Sequence, residues 1–156
     1  MEYLPPILDP DLQPIIHPIM ETNEEKFIKV CLNALDTDPT PRDEISDDVA
    51  CAQVVCTLLK KVFPDFPILP STRDLDNKLA SDKRFKSRDL PNKGRIIISP
   101  RTPKKNGHVG VYITNERIAS NGSLDGIFRG NYDDESWRNE MEYKRNLKTR
   151  IYEIVD

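Results

Sequence analysis

Cysteine, histidine and asparagine, met in that order along one chain, are the residue types of a thiolate nucleophile, its base and the group that orients the base. Cys51 stands in Asp47-Asp48-Val49-Ala50-Cys51-Ala52-Gln53-Val54-Val55. His108 stands in Gly107-His108-Val109-Gly110-Val111-Tyr112-Ile113, and Asn121 closes the run Arg117-Ile118-Ala119-Ser120-Asn121. A thiol attacks a carbonyl well only as thiolate, and both a helix N-terminus and a nearby imidazole favour that form. Cys51 falls within the first turn or so of a predicted helix, whereas Cys56 sits a turn and a half further in. First-turn amides can also donate to an oxyanion, so the Cys51 amide and Gln53 are candidates for an oxyanion hole. Bland readings stand beside these. Cys51 also continues an apolar stripe, His108 could be a hydrogen-bonded strand-end histidine, and Asn-Gly is a common turn signal. Asn106, Asn115 and Asn131 compete with Asn121 for the third role.

The elements that must position these residues follow from periodicity. Thr22 or Asn23 can cap a helix over 24–35, with Phe27, Val30, Cys31 and Ala34 on one face, which makes Cys31 a core thiol. Ser46, Asp47 or Asp48 can cap a second helix reaching about residue 62, with Cys51, Val55, Leu58, Leu59 and Val62 sharing a face. Ser71 can cap a short helix over 72–80. The polar, basic stretch 81–93 reads as a surface loop. Strands are expected over 95–99, 108–114 and 117–120, the last two forming a hairpin. The Gly- and Asn-rich stretch 121–132 reads as a loop, and a short helix starting at Glu135 or Ser136 runs through Met141. A final strand lies within 147–155. Helices first and a mainly antiparallel sheet afterwards make an α+β domain over residues 21–156. Ahead of it, Pro5, Pro6, Pro10, Pro14 and Pro18 rule out a helix. Residues 1–20 therefore read as an extended arm, apolar enough to pack on the domain or on a partner. His17, between Ile16 and Pro18, reads as part of that packing.

Composition narrows the classes. A chain of 156 residues suits one domain with a sizeable core. No run approaches the roughly 18 to 20 apolar residues of a membrane span, so no membrane partner is expected. The start, Met1-Glu2-Tyr3-Leu4-Pro5-Pro6, has no basic n-region, and no secretory signal is expected. Three cysteines match no zinc spacing, and with two histidines in all neither a metal nor another cofactor is expected. Cys51 and Cys56, five positions apart on one helix, point to different sides and should not form a disulfide. The net charge of -3 hides an asymmetry: residues 1–50 hold 12 acids and 3 bases, the remainder 14 acids and 20 bases. That basic half could favour an anionic polymer. Nucleic acid is not the expected partner, because no recognition helix or aromatic stacking motif is present.

The motifs resemble the NlpC-type papain-like cysteine peptidases, which cleave peptide stems of bacterial cell walls, and more distantly the CHAP amidases. The likeness runs from about Glu44 to Asp156. Ala50-Cys51-Ala52-Gln53-Val54-Val55 corresponds to the family's nucleophile run, Gly94-Arg95-Ile96-Ile97-Ile98-Ser99 to its next strand, and Gly107-His108-Val109-Gly110-Val111-Tyr112 to its histidine motif. Ile118-Ala119-Ser120-Asn121 matches the strand that carries the third polar residue. Ala50, Ala52-Gln53 and Arg95 depart from the family pattern at positions that bear on substrate subsites. The resemblance implies a papain-like fold and a Cys51–His108–Asn121 triad that hydrolyses an amide bond, foremost in peptidoglycan stems. It suits a phage enzyme or an injected effector acting on the wall after release. Residues 1–20 are then the expected contact for a delivery or inhibitor protein. A second reading keeps the triad and turns it on proteins, as a protease or deamidase-type effector. A third, from another class, is a non-catalytic module whose basic half grips an anionic polymer.

Overall fold

The computed structural model describes residues 20–39 and 47–156. Residues 1–19 of the proline-rich arm, His17 among them, and the candidate cap Ser46 lie outside the described residues. Three helices come first: α1 (Asn23–Ala34), α2 (Asp47–Lys60) and α3 (Thr72–Ser81). Six strands follow: β1 (Phe85–Arg88), β2 (Ile96–Ser99), β3 (His108–Tyr112), β4 (Ile118–Asn121), β5 (Phe128–Tyr132) and β6 (Arg150–Ile154). Between β5 and β6 a single turn, α4 (Asp134–Trp137), runs into a π-helical segment over Arg138–Lys144. The fold is α+β.

Local chemistry starts the helices. The Thr22 hydroxyl accepts from the Glu25 amide at 3.1 Å, and the Ser71 hydroxyl accepts from the Asp74 amide at 3.1 Å. Asp133 and Ser136 form a reciprocal capping box at α4. Each cap satisfies an amide that the helix itself leaves unpaired.

The strands form one sheet in the order β1-β6-β2-β3-β4-β5, every neighbouring pair antiparallel. Its two faces bury different cores. On one side Ile96, Ile98, Val109, Val111, Ala119 and Tyr152 pack against α1, α2 and α3, with Cys31, Cys51 and Cys56 inside this layer. On the other side Ile97, Tyr112 and Ile118 pack against Trp137, Met141 and Leu147. Strand alternation makes this division, because successive side chains leave opposite faces.

Two segments read as loops are edge strands. In β1 only Phe85 is buried, while Lys86, Ser87 and Arg88 are exposed, so four residues carry no apolar period. They pair with β6 through Phe85↔Ile154 to Arg88↔Ile151, and the basic side chains guard an open edge. At the other edge β5 buries Phe128 and exposes Arg129, Gly130 and Asn131. Gly130 looks like a turn signal, but a Cβ there would come within 2.9 Å of Arg117 Cγ on the neighbouring strand segment. Close approach, and not a turn, accounts for that glycine.

The elements meet at one buried carboxylate. Asp48 on the first turn of α2 accepts from Thr72 Oγ1 at 2.6 Å, from the Thr72 amide at 3.2 Å and from the Gly107 amide at 2.9 Å. The chain at Gly107 is tightly enclosed: a Cβ would stand 2.3 Å from Ser99 O, 2.4 Å from Thr72 Oγ1 and 2.5 Å from the Arg101 amide nitrogen. Two of those neighbours are backbone and cannot swing away. Gly107→Ala should therefore destabilise the protein by about 2 to 4 kcal/mol, an overpacking penalty with a lost hydrogen bond added. Urea unfolding checks this; a loss below about 0.5 kcal/mol would show that the enclosure yields easily.

Candidate active site

The Asp48–Gly107 bond defines where the site lies. It holds the residue before His108 against the first turn of the helix that carries Cys51, three positions further on. Cys51 is buried, and its thiol donates to the Asp48 carbonyl at 3.3 Å. The other two cysteines are free and also buried. Burial pushes the Cys31 thiol well above its ordinary range and the Cys56 thiol up to about 11, so neither offers a thiolate near neutrality.

His108 leaves β3 on the face opposite Val109 and Val111. Its imidazole lies 5.4 Å from the Trp137 ring and 5.6 Å from the Tyr132 ring, centroid to centroid. Tyr132 and Trp137 meet edge to face at 5.3 Å. Nε2 of His108 is hydrogen-bonded to Ser120 Oγ at 2.9 Å, and that hydroxyl donates to Asn131 Oδ1 at 2.7 Å. Since Ser120 gives its proton to Asn131, it accepts from His108, which fixes the proton on Nε2. Nδ1 is then the lone-pair nitrogen through which the ring can serve a thiol. Behind this cluster, Trp137 Nε1 donates to Ser99 Oγ at 3.0 Å, and Ser99 pairs with Thr149 Oγ1 at 2.8 Å.

Asn121 occupies a different place from the one that orients His108. Its cross-strand partner is Phe128 and its strand neighbour on the same face is Ala119, both in the core on the α2 side. It shares with His108, Ser123, Asn131, Tyr132 and Arg145 the wall of a small pocket of about 60 Å³. Asn121 Oδ1 is buried and has no hydrogen-bond partner among the described residues; the same holds for Gln53 Oε1. Ser120 and Asn131 were not legible as the pair that holds the imidazole. Asn131 was only one of several competing asparagines, and Ser120 read as an ordinary strand residue. Among the described residues no group of three or more His, Cys, Asp and Glu side chains could hold a metal ion. No helix there is long and apolar enough to cross a membrane.

The imidazole is neutral over most of the pH range. Burial foremost, then the Arg145 guanidinium, lowers the His108 pKa to about 4; Asp48 and Glu140 act weakly the other way. The folded value lies below the ordinary 6.5, so between about 4 and 6.5 the unfolded chain binds the extra proton. Stability therefore falls as pH drops through that window, and His108 contributes no such dependence above it. With His17→Gln leaving one imidazole, NMR titration of His108 should give a midpoint near 4. Adding Arg145→Gln should raise that midpoint by removing a repelling cation. A midpoint near 6.5 in both proteins would contradict the buried environment.

Comparison with known proteins fits this architecture. No protein-family model matches the sequence, and no curated protein matches it significantly. Among solved structures the chain is similar to one in the type VI native effector-immunity complex Tae3-Tai3 from Ralstonia pickettii, at 13% sequence identity and a TM-score of 0.52. The match covers 86% of this chain and 100% of that one. At such identity the likeness establishes a shared fold.

Proposed function

We propose that the protein is a cysteine hydrolase that cleaves an amide bond in the peptide stems of bacterial peptidoglycan, with Cys51 as nucleophile and His108 as base. The observation that carries the proposal is the treatment of His108. A polar ring is buried beneath two aromatic side chains, its Nε2 proton is held by the Ser120–Asn131 pair, and its strand is tethered to the cysteine-bearing helix. A histidine serving only to pack would not need its tautomer fixed through two further side chains. The likeness in fold to an effector-immunity complex supports an effector delivered to act on a cell wall and restrained by a protein inhibitor. The expected contact of residues 1–20 with that inhibitor or with a delivery protein belongs to the same proposal.

His108 Nδ1 takes the Cys51 proton as sulfur attacks the carbonyl carbon, giving a tetrahedral oxyanion. The candidate donors to that oxygen are those the sequence offers, the Cys51 amide, here at the fifth position of α2, and Gln53 two residues further on. The imidazolium returns its proton to the departing amine, the C–N bond breaks and a thioester remains. Water, deprotonated by His108, then attacks the thioester and releases a carboxylate and the thiol. A resting neutral imidazole suits this sequence, since it begins as a base. Ser120 and Asn131 hold the ring, while Asn121, with its unpartnered buried oxygen, forms part of the wall of the His108 pocket.

Purified peptidoglycan digested by the wild type should yield new amino and carboxyl ends in equal amounts, read by mass spectrometry. Cys51→Ala should abolish them without unfolding the protein. Ser120→Ala and Asn131→Ala should each lower kcat about 10- to 100-fold, as loss of a base's orienting partner does. Asn121→Ala should cost less than Ser120→Ala. The reverse order would return the orienting role to Asn121, and turnover by Cys51→Ala would end the hydrolase reading.

A further inference from the structure

Beside the His108 pocket, the loop between β2 and β3 and the end of the π-helical segment enclose a groove of about 530 Å³. Arg101, Lys104, Lys105, Lys144 and Arg145 line it, with Glu140 as its single acid. A second depression of about 390 Å³ shares Lys104, Lys105 and Arg145 with the groove. Arg145 also stands in the wall of the His108 pocket, so the groove and the candidate active site are contiguous.

The charge of the groove is only partly spent. Glu140 is bridged by Arg145 at 3.0 Å and by Lys144 at 3.4 Å. Arg101 stands 3.9 Å from Asp48, a carboxylate already occupied by Thr72 and Gly107. Neither Lys104 nor Lys105 is ion-paired among the described residues, and both are exposed. The loop that carries them is nonetheless fixed. The Thr102 amide donates to Lys105 O at 3.0 Å, and Thr102 Oγ1 accepts from the Lys104 and Lys105 amides at 3.3 and 3.2 Å. Its two ends are anchored by Arg101 N to Thr72 Oγ1 at 2.9 Å and by Gly107 N to Asp48. Arg145 Nη1 donates to Asn106 O at 3.2 Å and braces the loop from the far wall.

A solvated charge run would be free to spread its cations apart. Here the Thr72–Asp48 network and the Arg145 brace hold the loop backbone so that both lysines lie on the wall of one cavity beside His108. Exposed lysines bind single anions weakly, but preorganised convergence lowers the entropy cost of engaging several at once. No aromatic side chain lines the groove, which argues against stacked nucleobases. We propose that this groove binds a peptide bearing free carboxylates next to the scissile amide, and that it selects acidic stems over their carboxamide forms. The position of the scissile bond rests on the hydrolase reading; the binding does not.

The test uses soluble stem peptides from peptidoglycan in two forms, with free carboxylates and with those groups converted to carboxamides. Binding is measured with full-length Cys51→Ala, and hydrolysis with the wild type, each with and without the pair Lys104→Gln and Lys105→Gln. The free-acid form should bind about tenfold tighter than the amidated form, and the paired substitution should remove that preference. In the active protein the same preference should be carried by KM. If hydrolysis is absent while the salt-sensitive, lysine-dependent preference in binding remains, the groove stands and the hydrolase reading falls. If both forms are cut and bound alike whatever the lysines, the groove proposal falls and the hydrolase reading stands. Equal or tighter binding of a single-stranded oligonucleotide through the same lysines would also overturn it.

Discussion

The buried carboxylate of Asp48 is the constraint on which the arrangement depends. It is fully buried, and it receives donors from two other elements, the start of α3 and the start of β3. A carboxyl group removed from water is tolerated only when its oxygens are hydrogen-bonded, so each of those elements is held in one position relative to α2. Thr72 extends the network: its hydroxyl donates to Asp48 and accepts the Arg101 amide. Asp48 and Thr72 together thereby tie the cysteine helix, the first residue of the next helix and both ends of the loop before the histidine strand. The glycine at 107 is a consequence, since any side chain would have to occupy space already taken by Ser99, Thr72 and Arg101.

The sheet separates two environments. Cys51 packs in the helical core on one face, while His108 lies under Trp137 and Tyr132 on the other. The elements that carry them are tied just before β3, where Asp48 accepts from the Gly107 amide. The two environments also differ in polarity. The aromatic side is dry enough to hold the imidazole neutral, yet it supplies one hydrogen-bond chain that fixes the ring's tautomer.

The places of Cys51 and His108 in the fold were legible because their signals are local: a cysteine near a helix start, and a histidine between a glycine and an apolar strand. The helices were legible for the same reason, through caps at Thr22 and Ser71 and stripes such as Phe27, Cys31 and Ala34. The hydrogen-bond partner of His108 was not, and the reason is strand parity. Ser120 and Asn121 are adjacent, so they leave β4 on opposite faces, and only the pairing of Gly110 with Ser120 decides which one joins the histidine's face. Chemistry alone favours the amide of Asn121; register favours the hydroxyl of Ser120. The partner Asn131 was hidden further, because its strand was obscured by Gly130 and by three exposed residues. Edge strands need only one wet face and little apolar pattern, which also concealed β1.

The same parity explains why two asparagines so close in space differ so much in satisfaction. Asn131 accepts from Ser120 and completes a chain that ends on the imidazole. Asn121 sits one strand over, on the face toward α2, with a buried carbonyl oxygen that has no partner among the described residues. Gln53 Oε1, two positions beyond Cys51, is in the same condition. Buried polar atoms without partners are costly and are rare in a settled core. Asn121 lies in the wall of the pocket that His108 also lines, so its open acceptor faces the same small space as the ring. Asn121 and Gln53 leave buried acceptors open, whereas the chain from Asn131 through Ser120 is closed at Nε2 of the imidazole.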